Sequence, residues 1–415
     1  MKRIGAVVCA SFCVLYAGSV LVAGFSHETG CVKQKNGTGQ PRIETAQIQQ
    51  AIDEMAARGG GRVVIERGVH PCGTLYLKSG VELHLEEGAL LSGGTKSEDY
   101  DDAIPTAEVL SYDGCVAETA TRKAFIYAEN ATNIAITGKG VIDCHGPAFF
   151  DRNTVLWGRF WAKPNCMRPR MVVFMNCRGI RLEDATFKDC PVWTMWIRHC
   201  EEIAVSRIRV EAEQKMINSD GIDFDACRNV RVGDSWFKTG DDCLVLRAIR
   251  HANDAGREVV TENVVVSNCY LNSACQGVRI GCPSDDMIRN AGFRDIVFEG
   301  GNAIVSEQST HYLETNNRGR LKTSNILFEN WKIRCSGRPM DISIGSEVYL
   351  EDFGHMVLRN IEFESRCPIR IGGQEKSLVR DIRLECVRGV VHGETALELG
   401  HVDGFVKSDV KLSVR

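Results

Sequence analysis

The densest chemistry in the chain lies in two acidic segments, Asn218-Ser219-Asp220-Gly221-Ile222-Asp223-Phe224-Asp225 and Thr239-Gly240-Asp241-Asp242-Cys243-Leu244-Val245-Leu246-Arg247. Aligned by their apolar residues, Ile222 and Phe224 against Leu244 and Leu246, they place Asp220 in one column with Asp242. A later segment with Val278 and Ile280 in the apolar places adds Gln276 to that column and turns Arg279 outward. On successive rungs of a parallel sheet, backbones lie about 4.8 Å apart, so Asp220, Asp241 and Asp242 would crowd together. Carboxylates this close cannot all ionise cheaply, and repulsion raises the proton affinity of at least one. A protonated acid beside an ionised base is what glycosidic hydrolysis needs, one to protonate the leaving oxygen and one to activate water. The same residue types also cap turns or hold calcium, and Asp223 and Asp225, which alternate outward, suit either use.

Such a site needs stacked rungs, and the chain carries a matching loose repeat. A small polar residue before Ile or Val recurs at Asn133, Gly179, Glu202, Asn229, Asn263, Asp295, Asn325, Asn360 and Asp381. The steps are 46, 23, 27, 34, 32, 30, 35 and 21 residues, with 46 read as two coils of 23. Spacing of this kind predicts a solenoid with variable loops on one side. No helical period of 10–15 residues separates the strands, which argues against βαβ units. Two or three strands per coil are too few for propeller blades. Three residues before each repeat hydrophobe stand Cys177, Cys200, Cys227, Thr261, Phe293, Thr323, Leu358 and Val379, a small or apolar column suited to a stacked interior. The three Cys are read as core packing. Ahead of the repeat, Thr45–Arg58 puts Ile48, Ile52, Met55 and Ala56 on one helical face and stops at Gly59-Gly60-Gly61, while Val81, Leu83 and Leu85 alternate as a strand. The expected architecture is an all-β parallel β-helix with an N-terminal capping helix.

Composition bounds the rest. The 415 residues are 44% hydrophobic and 25% charged, as in a soluble globular protein, and a net charge of −4 leaves no bulk basic field for nucleic acid. Lys2 and Arg3 precede an uncharged apolar run, so residues 1–24 read as a signal peptide and 25–415 as one catalytic domain, secreted or periplasmic. No later stretch is apolar enough to span a bilayer, so no stable membrane insertion is expected after cleavage, and the mature chain is expected to be a monomer. There is no C-x-x-C among the 18 Cys, which argues against a zinc ribbon or a thioredoxin-type site.

These residues resemble glycoside hydrolase family 28, the polygalacturonase-like enzymes, from about Thr45 to about Phe363. The resemblance is carried by Ala51-Ile52-Asp53, Gly59-Gly60-Gly61-Arg62-Val63-Val64, Leu75-Tyr76-Leu77-Lys78-Ser79, Asn133-Ile134-Ala135-Ile136-Thr137-Gly138 and Cys190-Pro191-Val192-Trp193-Thr194. The two acidic motifs stand 21 residues apart, Asp220 to Asp241, as the family's N-T-D and D-D motifs do, with Ser219 in place of Thr. The resemblance implies a right-handed parallel β-helix and an inverting hydrolase without metal or organic cofactor, acting on pectin-type poly- or oligosaccharides (galacturonan or rhamnogalacturonan-like). It makes Asp241 the general acid, with Asp220 and Asp242 positioning and deprotonating water.

Two departures stand out. The family's G-H-G block reads Ala274-Cys275-Gln276-Gly277 here, so Gln276 stands at the histidine position and carries no proton. The family's R-I-K place holds Val305, Ser306 and Glu307, and Arg320-Leu321-Lys322 imitates that motif from a loop. Arg247 and Arg279, outward in the alignment, are candidates for a replacement carboxylate clamp. With Asn218 and Gln276 they form the candidate substrate-binding set, and Trp193 and Trp196 are candidates for a sugar platform. Two rival readings remain: calcium-dependent β-elimination with an Arg base such as Arg279, and a non-catalytic glycan-binding β-helix.

Overall fold

The computed structural model describes residues 28–32, 41–109, 121–163, 166–281, 284, 286–308 and 320–415. The leader read at 1–24 lies outside the described residues. Parallel strands wind through three faces per coil, here A, B and C. One coil runs Met195–Arg198 on face A, Glu201–Ser206 on B and Arg209–Glu211 on C, then returns to A at Ile222–Asp225. Each strand pairs in parallel with its equivalent one coil on, as Ile222 with Leu244 and Leu244 with Val278. The architecture is a parallel β-helix, as expected.

The bends between faces explain the sequence repeat. At the A–B bend Asn229, Asn263, Asn290 and Asn325 all have φ between 53° and 57°, a region Asn tolerates better than other side chains. Their amides also stack, each donating Nδ2–H to the Oδ1 of its predecessor at 2.9–3.3 Å. Two members of the expected repeat belong elsewhere. Asp295 and Asn360 sit at the B–C bend, and the A–B column at those coils holds Asn290 and His355. Both bends need a left-handed residue before an apolar one, so sequence alone merges them. The step of 46 is also a single coil, because Thr132–Gly138 pairs directly with Arg178–Glu183. Its extra length is an excursion that includes the antiparallel hairpin of Asp151–Leu156 and Phe160–Ala162.

The interior is a continuous stack of Ile, Val, Leu and Phe. Cys177, Cys200 and Cys227 lie buried in it, one per coil. The structure continues that column with Thr261, Ile288, Thr323, Phe353 and Val379, so the corrected register replaces Phe293 and Leu358. Helix α1, Pro41–Ala57, closes the N-terminal end with Ile48, Ile52 and Met55 buried. Among the described residues no helix is long and apolar enough to cross a membrane.

A second, smaller core lies outside the coil, on the outer side of face A. Tyr127, Val173 and Trp196 point away from the interior yet are buried with Ile104, Trp193 and Ile249. Charges seal its edge: the buried Arg198 pairs with Glu108, Asp225 and Asp254 at 2.6, 2.9 and 2.7 Å. Glu108 and Asp254 sit on separate segments, 103–109 and 248–257, so one guanidinium ties both to face A.

Candidate active site

The site forms where the chain turns from face C into face A. Gly221 N–H donates to the Asp242 carbonyl at 2.8 Å and Cys243 N–H to the Gln276 carbonyl at 2.9 Å. Asp220, Asp242 and Gln276 are therefore neighbours on successive rungs, as the alignment predicted. The turns are interlocked. Ser219 Oγ donates to the Met216 carbonyl at 2.7 Å and accepts from Gly240 N–H at 3.0 Å. A Cβ on Gly240 would lie 2.3 Å from the Met216 carbonyl oxygen, so glycine is required there. Thr239 Oγ1 and Ser273 Oγ both donate to the Asp241 carbonyl at 2.6 Å, and Asn218 N–H donates to Asp241 Oδ2 at 3.0 Å.

The three carboxyls differ in setting. Asp241 is partly exposed, whereas Asp220 and Asp242 are buried, each with an Oδ1 that has no hydrogen-bond partner among the described residues. Burial drives the Asp220 carboxyl well above the ordinary carboxylate range, with repulsion from Asp223, Asp241 and Asp242 adding to it and Arg247 opposing it. Burial likewise pushes Asp242 up to about 8, against the pull of Arg279 and with the push of Asp241. Proton affinity is thus raised at both buried carboxyls, Asp220 and Asp242.

The candidate binding residues are brought to this cluster, with different surroundings. Arg247 leaves the strand outward but is buried: its Nε donates to Asp223 at 2.7 Å, its Nη2 is 3.8 Å from Asp220, and its Cζ lies 4.6 Å from the Trp193 ring centre. It is neither a solvated charge nor an open clamp. Arg279 is partly exposed and stands 3.6 Å from Asp242 and 3.7 Å from Glu307. The Asn218 Oδ1 accepts from Arg168 at 3.1 Å, and the Gln276 Oε1 accepts from Asn302 at 2.8 Å.

Several sequence expectations change here. Trp193 and Trp196 are both buried, edge to face at 5.9 Å, with the Arg170 guanidinium 4.8 and 4.7 Å from their ring centres. They cannot stack on a sugar. The exposed indole is Trp157, in the hairpin turn whose Arg159 donates to the Ala274 carbonyl. Asp223 and Asp225 are fully buried and held by Arg247 and Arg198. Arg168 and Arg170, which brace the site from below, were missed because the long excursion hid the rung that follows it. Val305 does align with Arg279, and Lys322 opens a strand on face B beside Met287, which leaves Arg320-Leu321-Lys322 outside the site. Ligand atoms of Asp241, Asp242 and Cys275 lie within 4.8 Å of one another, and the guanidinium of Arg279 stands beside them.

Comparisons with known proteins point one way. Residues 103–345 match the sequence profile of glycosyl hydrolases family 28. A probable polygalacturonase of Vitis vinifera is 28% identical over 218 residues, 51% of this chain and 42% of that protein. A polygalacturonase of Persea americana is 23% identical over 328 residues, 76% of this chain and 66% of its own. The matched stretches span about a third to a half of the first curated relatives. Among solved structures, an exopolygalacturonase of Thermotoga maritima superposes with a TM-score of 0.69 at 21% identity, covering 88% of both chains. A polygalacturonase of Erwinia carotovora gives 0.66 at 17% identity, covering 96% of this chain and 99% of its own. At these identities the likeness shows the fold, a right-handed parallel β-helix.

Proposed function

The chain belongs to glycosyl hydrolases family 28, and on that premise we propose that it is an exported enzyme hydrolysing glycosidic bonds in pectin-type polysaccharides or their oligosaccharides. The observation that carries the reading is the meeting of Asp220, Asp241 and Asp242 on two successive turns at one corner of the solenoid, two buried and one partly exposed. In this reading Asp241, the accessible member, protonates the leaving oxygen. Asp220 and Asp242 orient the water and take its proton, which inverts the anomeric carbon. Their raised proton affinity makes each, once ionised, a strong acceptor. Arg247 and Arg279 keep the cluster from excess negative charge, and Arg279 is also placed to meet an acidic sugar.

Asp241→Asn is the direct test. The side chain keeps its shape but cannot deliver a proton, so turnover of pectic oligosaccharides should fall by about 1,000-fold or more with the melting temperature unchanged. Full activity in that variant would refute the assignment.

A further inference from the structure

With glutamine at the family's histidine position, the useful quantity is which end of the Gln276 amide faces the acidic cluster, and the hydrogen bonds decide it. The Arg338 backbone N–H, which can only donate, points at Asn302 Oδ1 at 2.7 Å. That contact fixes the Asn302 amide, leaving its Nδ2–H to donate to Gln276 Oε1 at 2.8 Å. Gln276 therefore gives its oxygen to Asn302 on the following rung, which puts its NH2 on the other edge of the amide. The sequence protects this arrangement, because a Cβ on Gly337 would lie 2.2 Å from Asn302 Oδ1.

We propose that Asn302 is a positioning residue of the site: it holds Gln276 by its oxygen so that the amide's N–H donors meet an oxygen of the acidic sugar bound over Asp242. Neither residue need titrate for this, and the polarity of the whole relay is set by one backbone N–H. The inference deepens the hydrolase reading and rests on it for the identity of the ligand.

A reversal of polarity tests it. Aspartate at 302 has the shape of asparagine but only accepts, so it satisfies Arg338 and repels Gln276 Oε1, and the Gln276 amide must turn round. Serine is smaller, yet its hydroxyl can accept from Arg338 and donate onward. Asn302→Asp should lower kcat/KM about tenfold or more and weaken binding of a galacturonate oligomer, read by calorimetry, by a similar factor. Asn302→Ser should stay within about threefold of the parent. A packing role predicts the opposite order, since the isosteric variant would then be the milder one.

A double-mutant cycle closes the test. Gln276→Met should cost about as much as Asn302→Asp, and the pair together no more than either alone. Asn302→Leu, close to asparagine in shape but without a polar atom, takes the place of the aspartate variant if that one does not fold. Additive losses, or serine worse than aspartate, would overturn the assignment of Asn302. Absence of turnover by the parent protein on every pectic substrate would sink the hydrolase reading instead, and the order of the binding constants would still judge Asn302.

Discussion

In the proposed mechanism, stability and chemistry pull in opposite directions at Asp242. Its folded-state proton affinity lies near 8, far above the value of about 4 for a solvated aspartate in the unfolded chain. The folded protein thus retains a proton that the unfolded chain has released, so this residue's contribution to stability declines as pH rises from about 4 through 8. Asp242→Asn removes that dependence. The variant should melt at the parent's temperature near pH 4 and several degrees above it at pH 8, by differential scanning calorimetry, while losing turnover. An unchanged difference across that range would contradict the buried-acid description. Arg279 acts on the same carboxyl from 3.6 Å and opposes its proton uptake. With Asp242 as base, the ascending limb of kcat/KM against pH should lie above the ordinary carboxylate range. Arg279→Gln should move it higher still, whereas an unmoved limb would separate Arg279 from the base.

At the scale of elements, the acidic turns are as well placed as they are because the rungs beneath them are in register. The sequence made that register legible in one stretch: the alternation of Ile222, Phe224, Leu244 and Leu246 was enough to pair Asp220 with Asp242. It failed where two bends use the same local signal, as at Asp295 and Asn360, and where a hairpin inflates one coil, as between Asn133 and Gly179. The outer core was not legible either. Trp193 and Trp196 carry no sign of the segments that cover them, because Glu108 and Asp254 reach Arg198 from positions 90 and 56 residues away. Arg198→Leu would leave three buried carboxylates facing one another, a change expected to cost about 3–5 kcal/mol. Hydrogen exchange should show the loss first as increased opening of 103–109 and 248–257. Uniform loosening of the whole solenoid would mean that Arg198 is not their anchor.

For the molecule as a whole, fold and family were readable because a β-helix writes itself into the sequence coil by coil. The apolar column, the left-handed Asn and the capping helix each report a local requirement that no distant contact can disguise. What the whole fold adds is the surround of the site: a sealed apolar flank toward the N-terminal coils, guanidiniums buried beneath the carboxyls, and an amide relay running to Arg338. These depend on side chains from separate coils meeting on face A, which the repeat spacing does not encode. The most direct measurement is proton NMR of the first products from a pectic oligosaccharide, run with the parent protein and with Asp241→Asn. The expected result is a new reducing end whose initial anomer is opposite to that of the bond cleaved, formed by the parent and nearly absent with the variant. A retained anomer, an unsaturated product absorbing in the near ultraviolet, or equal release by both proteins would contradict it.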